Sequence, residues 1–371
     1  MRILHWLDLW WRDVGGPIRS ITDLSDAMRR RGHEVFVATA DPRDAPREWL
    51  DGDNPRMRVF RHGPLGIIAR SERSRLRTLV RTVDVIHLHG LWERSTHSMA
   101  GEAHQVGVPF VVSTRGVLDD WAMSQRGLRK RVFLEAFGRR LLTRAAFIHC
   151  TSLGEARQVE SRVERTANVI PNLLRLEPLL ALRRVEAPVP RILFLGRLHE
   201  SKGLDLLLRA ISSLRTSGLE PVLDVAGTGS ERDLRSMTSL ADELGLSTQV
   251  RFLGHLDDEA RQSALSEAWV MALPTAQENF GNALFESLAA GVPVLSSKGL
   301  DAEVELETSG GALLVERDPQ AIAAGLAELL LDHERRDSMS ASAREWCARE
   351  LHPRLVGARF ESLYQSALGV R

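Results

Sequence analysis

Short apolar runs of strand length alternate with helical stretches along the whole chain, and this alternation limits the available folds more than any other feature. In the first half the runs are 3–7, 35–39, 59–61, 85–89, 110–113 and 147–151; in the second they are 192–195, 222–226, 250–253, 269–273, 292–296 and 312–315. Strands that alternate with helices pair in parallel and are covered on both faces. The expectation is an α/β chain of two doubly wound, Rossmann-like domains facing each other across a cleft, with ligands at the strand carboxyl ends. Periodicity lapses around 183–190, where Pro188 and Pro190 precede a strand. The predicted organisation is therefore a domain over 1–182, a linker over 183–190, a second domain over 191–352, and a helical segment over 353–371 that packs back onto the first.

At 371 residues and 43% hydrophobic content, each domain is large enough to bury its own core. Cys150 and Cys347 lie far apart with no metal-ligand spacing, which points to a reducing compartment. No apolar run approaches the roughly 18 residues of a membrane span, and residues 1–8 are too short and polar for a signal peptide. A cytoplasmic protein, at most peripheral on the inner face of the membrane, is expected. The net charge of zero conceals an asymmetry: residues 1–180 hold 29 Lys/Arg against 21 Asp/Glu, or +8, and residues 181–371 hold 20 against 28, or −8. Part of the excess lies in 126–144, which alternates basic and apolar residues at helical spacing. Such a helix suits an anionic membrane surface; it reads equally as an amphipathic helix with a solvated basic face. No nucleic-acid motif accompanies the charge, so nucleic acid is not an expected partner.

The densest chemistry lies in Glu278-Asn279-Phe280-Gly281, between a buried strand and a helix that Gly291 stops, with Glu286 about one turn inside. A helix start beside a glycine leaves backbone N–H groups free for an anion, and the helix dipole favours that charge. Two flanking carboxylates suit hydroxyls. Together they describe a sugar joined to a phosphate. A bare pair of glutamates at this spacing is usually solvated surface; the strand before and the helix after are what favour the ligand here.

Four further motifs fall at strand carboxyl ends. Gly15-Gly16-Pro17 lets the backbone approach a ligand closely before a helix, although most glycine pairs mark plain turns. Gly196-Arg197-Leu-His-Glu-Ser-Lys202-Gly203 brings two cations towards one point of the sheet edge, enough to stabilise a leaving diphosphate without a metal. Gly227-Thr-Gly229 suits a base or ribose, but Arg232 stands where a dinucleotide fingerprint needs glycine. His87-Leu-His89-Gly90 and Thr114-Arg115-Gly116 end neighbouring strands of the first domain; with no third ligand apparent, a metal is rejected.

In that order Gly-Gly-Pro, H-x-H-G, G-R-L-x-x-x-K-G and E-N-F-G…E-S-L-A-A-G-V-P-V resemble the retaining family 4 glycosyltransferases of GT-B fold, over nearly the whole chain. Thr114-Arg115-Gly116-Val-Leu-Asp-Asp-Trp121-Ala, with the basic residues after it, is similar to the branch that builds bacterial surface and extracellular polysaccharides. The resemblance implies a nucleotide-sugar donor, a saccharide or lipid-linked saccharide acceptor, and no metal or other cofactor. It implies Glu278 on donor-sugar hydroxyls, Asn279, Phe280 and Gly281 offering amides, Glu286 on ribose, and Arg197 and Lys202 on the diphosphate. Gly15, Gly16 and Gly227 join the donor side, with Gly16 closing onto the diphosphate; His87, His89, Arg115 and Trp121 join the acceptor side, and Trp10, Trp11, Trp92 and Trp121 read equally as stacking platforms for a sugar or as core residues. Arg115 stands where many members carry histidine. Rival readings are a metal-dependent GT-A enzyme through Asp51-Gly52-Asp53, which reads better as a turn, another GT-B enzyme such as an epimerase or phosphorylase, and a non-catalytic donor-binding or membrane-scaffold protein.

Overall fold

The computed structural model describes residues 1–11, 16–51, 55–125, 127–185 and 187–369. These divide into two compact units, Met1–Leu174 with Pro353–Arg371, and Arg175–His352. The first unit holds strands β1 (Arg2–Leu7), β2 (Glu34–Thr39), β3 (Met57–Val59), β4 (Val85–His89), β5 (Phe110–Ser113), β6 (Phe147–Cys150) and β7 (Ala167–Val169). The second holds β8 (Arg191–Leu195), β9 (Val222–Ala226), β10 (Val250–Gly254), β11 (Val270–Leu273), β12 (Val294–Ser297) and β13 (Ala312–Val315). The strand orders are β3-β2-β1-β4-β5-β6-β7 and β10-β9-β8-β11-β12-β13, and the pairings within each sheet are parallel.

Central strands are buried along their length, as expected for parallel strands with helices on both faces. Each sheet has one point where the strand order reverses, between β1 and β4 in the first and between β8 and β11 in the second. Loops leaving neighbouring strands at such a point diverge and open a crevice at the carboxyl edge.

The predicted domain boundary moves. Residues 175–190 belong to the second unit rather than to the first domain and a linker. Arg184 donates to the carbonyls of Gly291 (3.0 Å) and Ala268, Val185 donates to Ser266, and Arg344 reaches the carbonyls of Leu180 and Leu182. The prolines shape this segment without freeing it. β3 starts two residues before its predicted run, and β7, only half-buried, lacks the apolar signal that would have revealed it.

The helix Pro353–Gly369 belongs to the first unit. It places Val356, Phe360 and Tyr364 in one core with Ile3, Val85 and Val111. The other face of the first sheet packs a larger apolar core that includes Trp6, Phe60, Ile86, Phe110 and Ile148. Region 126–144, read as one amphipathic helix, is a helix over Gly127–Phe133, a π-helical turn over Leu134–Gly138 and a helix over Arg139–Arg144; residue 126 lies outside the described residues. Among the described residues no helix is long and apolar enough to cross a membrane.

Candidate active site

In the second unit the loops leaving β8, β9 and β11 are locked together by backbone contacts that only glycine permits. Gly227, at φ +144°, lies so close to the Gly196 carbonyl that a Cβ would sit 1.8 Å from that oxygen. Gly203, at φ +69°, would place a Cβ 2.2 Å from the Pro274 carbonyl. Packing against Gly196 thus accounts for Gly227, the glycine expected beside the donor. Thr275 and Ala276 both donate to the Ser201 carbonyl, at 3.1 and 2.6 Å. Arg317 ties the same two loops, donating to the carbonyls of Pro274 and Glu200, each at 3.2 Å. Nothing in the local sequence marked Arg317 for this task.

That scaffold brings Lys202 and Glu278 together. The ammonium donates to Glu278 Oε1, and the Gln277 carbonyl lies 3.4 Å from the same nitrogen. Both side chains are mostly buried, so each charge depends on its partner. Arg197, the other predicted cation, is exposed. Gly281, at φ +80°, is the N-cap of the helix Asn282–Ala289 and itself brings no side chain to cap the first turn. Phe280 is buried and stacks on Phe285 (4.4 Å between centroids), which anchors the loop's end. Asn279 is half-buried beside it. Glu286 is buried, with Arg261 Nε 3.6 Å from its Oε2; Arg261 comes from the helix Asp258–Glu267 and carried no signal of its own.

In the first unit, strand parity and register put His5, His87, His89, Ser113 and His149 on one face of β1, β4, β5 and β6. All five are buried. Their hydrogen bonds assign the protons. His149 Nε2 donates to the Ile170 carbonyl (2.8 Å), so its Nδ1 accepts from Ser113 (2.6 Å); Ser113 accepts from His87 Nε2 (2.6 Å), and His87 Nδ1 accepts from Tyr364 (2.8 Å). In a second chain Arg115 donates to His89 Nδ1 through Nη2 (3.0 Å) and Nε (3.2 Å), and His89 Nε2 donates to His5 Nδ1 (3.0 Å). Burial holds all four imidazoles neutral, with His5 and His149 pushed down to about 3 and His87 and His89 well below the usual value.

This changes the reading of His87 and His89. They were expected on the acceptor side, but His87 lies under the helix Pro353–Gly369, whose Tyr364 hydroxyl occupies it, and His89 is buried between His5 and Arg115. The third imidazole missing from the sequence reading is His5, which pairs with His87 in register. Ligand atoms of His5, His87 and His89 lie within 4.8 Å of one another. Both ring nitrogens of His87 and His89 are already hydrogen-bonded, and the Arg115 guanidinium touches His89; these contacts, rather than a missing ligand, oppose a cation there.

Other expected positions divide clearly. Trp10 is a core residue against Trp49, Trp11 lies under the Arg43 guanidinium (3.7 Å), Trp92 is half-buried near Lys130, and Trp121 is exposed. Gly16 is the first residue of the helix Gly16–Arg30, while Gly15, Gly52 and Asp53 lie outside the described residues. Glu93 was missed. It follows β4 at the switch point; its Oε2 is buried with no hydrogen-bond partner among the described residues, and burial pushes its carboxyl up to about 7. Asp8, bonded to His62 (2.8 Å) and to Ser95, adds to that rise.

Residues 184–346 match the family described as Glycosyl transferases group 1, and residues 15–172 match the one described as Glycosyl transferase 4-like domain. A phosphatidyl-myo-inositol mannosyltransferase of Mycobacterium leprae (strain TN) is 29% identical over 371 residues, covering 95% of this chain and 94% of that protein. A D-inositol 3-phosphate glycosyltransferase of Corynebacterium urealyticum is 37% identical over 164 residues, 42% of this chain and 38% of that relative's length. Among solved structures, HepE of Anabaena in complex with UDP and glucose aligns with a TM-score of 0.78 at 17% identity, covering 99% of this chain and 100% of that one; the likeness is one of fold.

Two outcomes are expected. Gly227→Ala forces a Cβ onto a backbone carbonyl at a positive φ, so it should cost more than about 2 kcal/mol in urea unfolding; a loss within error would mean the β8 and β9 loops separate freely. The histidines make stability depend on acid. Their folded pKa values lie below the unfolded value of 6.5, so the unfolded chain binds more protons below pH 6.5, and stability should fall by about 1.4 kcal/mol per pH unit per histidine as the pH drops towards 3. Glu93 works in the opposite sense between 7 and 4.5, because its protonated form is favoured in the fold. Glu93→Gln should therefore steepen the acid loss and raise stability at pH 8; thermal midpoints equal at pH 7 and 5 would contradict the neutral-histidine assignment.

Proposed function

Since the chain belongs to the group 1 glycosyltransferases of GT-B fold, with a glycosyl transferase 4-like first half, we propose that it moves a sugar from a nucleotide-sugar donor to a saccharide or lipid-linked saccharide acceptor, with retention and without a metal. The observation that carries this reading is the Lys202–Glu278 pair beside the glycine-capped start of the helix Asn282–Ala289, at the switch point of the second sheet. A diphosphate would take Lys202 from Glu278, with Arg197 as a second cation, and free the carboxylate for sugar hydroxyls. The amides of Asn279, Phe280 and Gly281 would hold phosphate oxygens. Glu286, buried and held near Arg261, suits a ribose diol. Support for such a donor comes from HepE, whose structure holds UDP and glucose.

In the proposed transfer the bond from the anomeric carbon to the diphosphate oxygen breaks as the acceptor oxygen bonds to that carbon from the same face. The acceptor's proton passes to the leaving phosphate oxygen, and no separate protein base is required. Lys202 and Arg197 stabilise the charge growing on the diphosphate. The first unit is proposed to take the acceptor, with Arg115 and Trp121 as its contacts. Leu128, Val132 and Phe137, 79%, 59% and 52% exposed among Arg129, Arg131, Arg140 and Arg144, suit an anionic membrane surface on which a lipid-linked acceptor would lie.

Melting the protein with UDP, GDP, ADP and the matching nucleotide sugars tests the donor site. One nucleotide should raise the midpoint without magnesium, and Lys202→Ala should lower turnover roughly 100- to 1000-fold. No shift with any nucleotide, or unchanged turnover, would remove the donor assignment. Co-sedimentation should show binding to vesicles containing anionic lipid but not to neutral ones, lost in Leu128→Asp/Val132→Asp; equal recovery with both vesicle types would exclude the membrane surface.

A further inference from the structure

Among the described residues, the hydrogen-bond partners of the half-buried Arg115 guanidinium are all neutral. Its Nη1 reaches Ser20 Oγ (3.0 Å) and Asn172 Oδ1 (3.4 Å), and Nε and Nη2 share His89 Nδ1. A guanidinium has five N–H groups, so one on Nη2 has no partner among the described residues. His89 is neutral, and so are His5, His87 and His149 behind it. The carboxylate that favours the charge, Glu155, is engaged elsewhere: it accepts from Thr114 Oγ1 (2.6 Å), Gly116 N (2.7 Å), Thr151 N (2.7 Å) and Thr151 Oγ1 (3.1 Å).

Those bonds do a different task. Arg115 has φ +54°, a left-handed conformation that a side chain other than glycine's adopts at a cost, and Gly116 follows at +71°. Glu155 grips the residues on either side of Arg115, Thr114 and Gly116, and so holds the strained turn. Backbone strain, burial and a ring of neutral acceptors all oppose a guanidinium here, yet each aims it. The residue remains partly open to solvent. Ser20 belongs to the helix Gly16–Arg30, about one turn from its start, where the helix dipole favours negative charge.

We propose that Arg115 is an oxyanion-binding residue of the first unit, and that a phosphate or carboxylate group of a substrate completes its hydrogen bonding. Neutral histidines let it keep its full charge for that group, where a carboxylate partner would cancel it. Two substrates could bring the anion: the donor, through its diphosphate, or an acceptor that carries a phosphate or uronate. Naming the source rests on the transferase reading of the preceding section; the oxyanion itself does not.

Inorganic phosphate is the probe, titrated into the full chain at constant ionic strength with the melting midpoint as readout. Arg197→Ala/Lys202→Ala removes the cations of the second unit, and this double variant should still be stabilised by phosphate. Adding Arg115→Gln should weaken that response by about tenfold, the worth of one charged hydrogen-bonding group. No phosphate response in the double variant, or the same response with Arg115→Gln, overturns the proposal. Arg115→Gln should fold, since it removes a buried cation; should it not, Arg115→Lys keeps the charge without the planar fork and should weaken phosphate binding several-fold, an unchanged constant again overturning the assignment. The nucleotide diphosphate identified by melting then separates the sources. Binding about tenfold weaker in Arg115→Gln assigns the anion to the donor, and equal binding assigns it to the acceptor. Nucleotide binding that fails while the phosphate response persists would count against the transferase reading alone.

Discussion

A strand buried on both faces tolerates polar side chains only where their partners are built in, or at its carboxyl end, where the chain leaves the sheet. Both sheets are parallel, and their central strands are buried in this way, so the chemistry of the chain collects at two edges. In the second unit it collects at the crevice between β8 and β11. The loops there approach one another so closely that Gly227 and Gly203 lie against backbone carbonyls, and Arg317 bridges them. Rigid loops keep Lys202 and Glu278 in contact. The site's precision therefore comes from backbone packing, and its charges are carried on that packing.

The first unit solves the same problem differently. It buries four histidines in its sheet and binds them in two chains of hydrogen bonds, one that runs from Tyr364 through His87, Ser113 and His149 to the Ile170 carbonyl and one from Arg115 through His89 to His5. Each ring is neutral because a charged imidazole would have no solvent and no counter-ion. Arg115, at the edge of this cluster, keeps a charge that no neighbour among the described residues neutralises by contact. One edge offers a paired cation and carboxylate, and the other a cation whose partners among the described residues are neutral. That difference is consistent with one unit binding a ligand that displaces an internal partner, and the other binding a ligand that supplies what is missing.

Much of this is legible in the sequence. Apolar runs located nearly all the strands, because a parallel strand buried on both faces must be apolar throughout. The E-N-F-G segment was read as a loop running into a helix, and it is one, with Gly281 at the positive φ that the junction requires. The failures share a cause. β7 is half-buried and so lacks an apolar signature; His87 and His89 were expected on the acceptor side because no sequence rule placed Tyr364 over His87 or His5 beside His89; and residues 175–182 were assigned to the first domain and 183–190 to a linker because their partners, Ser266, Ala268, Gly291 and Arg344, are distant in sequence.

The sequence by itself determined the α/β class, the parallel pairing, the residue types at each strand's carboxyl end and the family, since these depend on local periodicity and short motifs. Tertiary structure alone decided which polar groups meet. It paired Lys202 with Glu278 across 76 positions, set His5 beside His89 across 84, and covered His87 with Tyr364 across 277. Whether an ionisable group is solvated, paired or isolated depends on neighbours brought by the fold. Burial and hydrogen bonding set its charge, and neither can be read from the residues beside it in the chain.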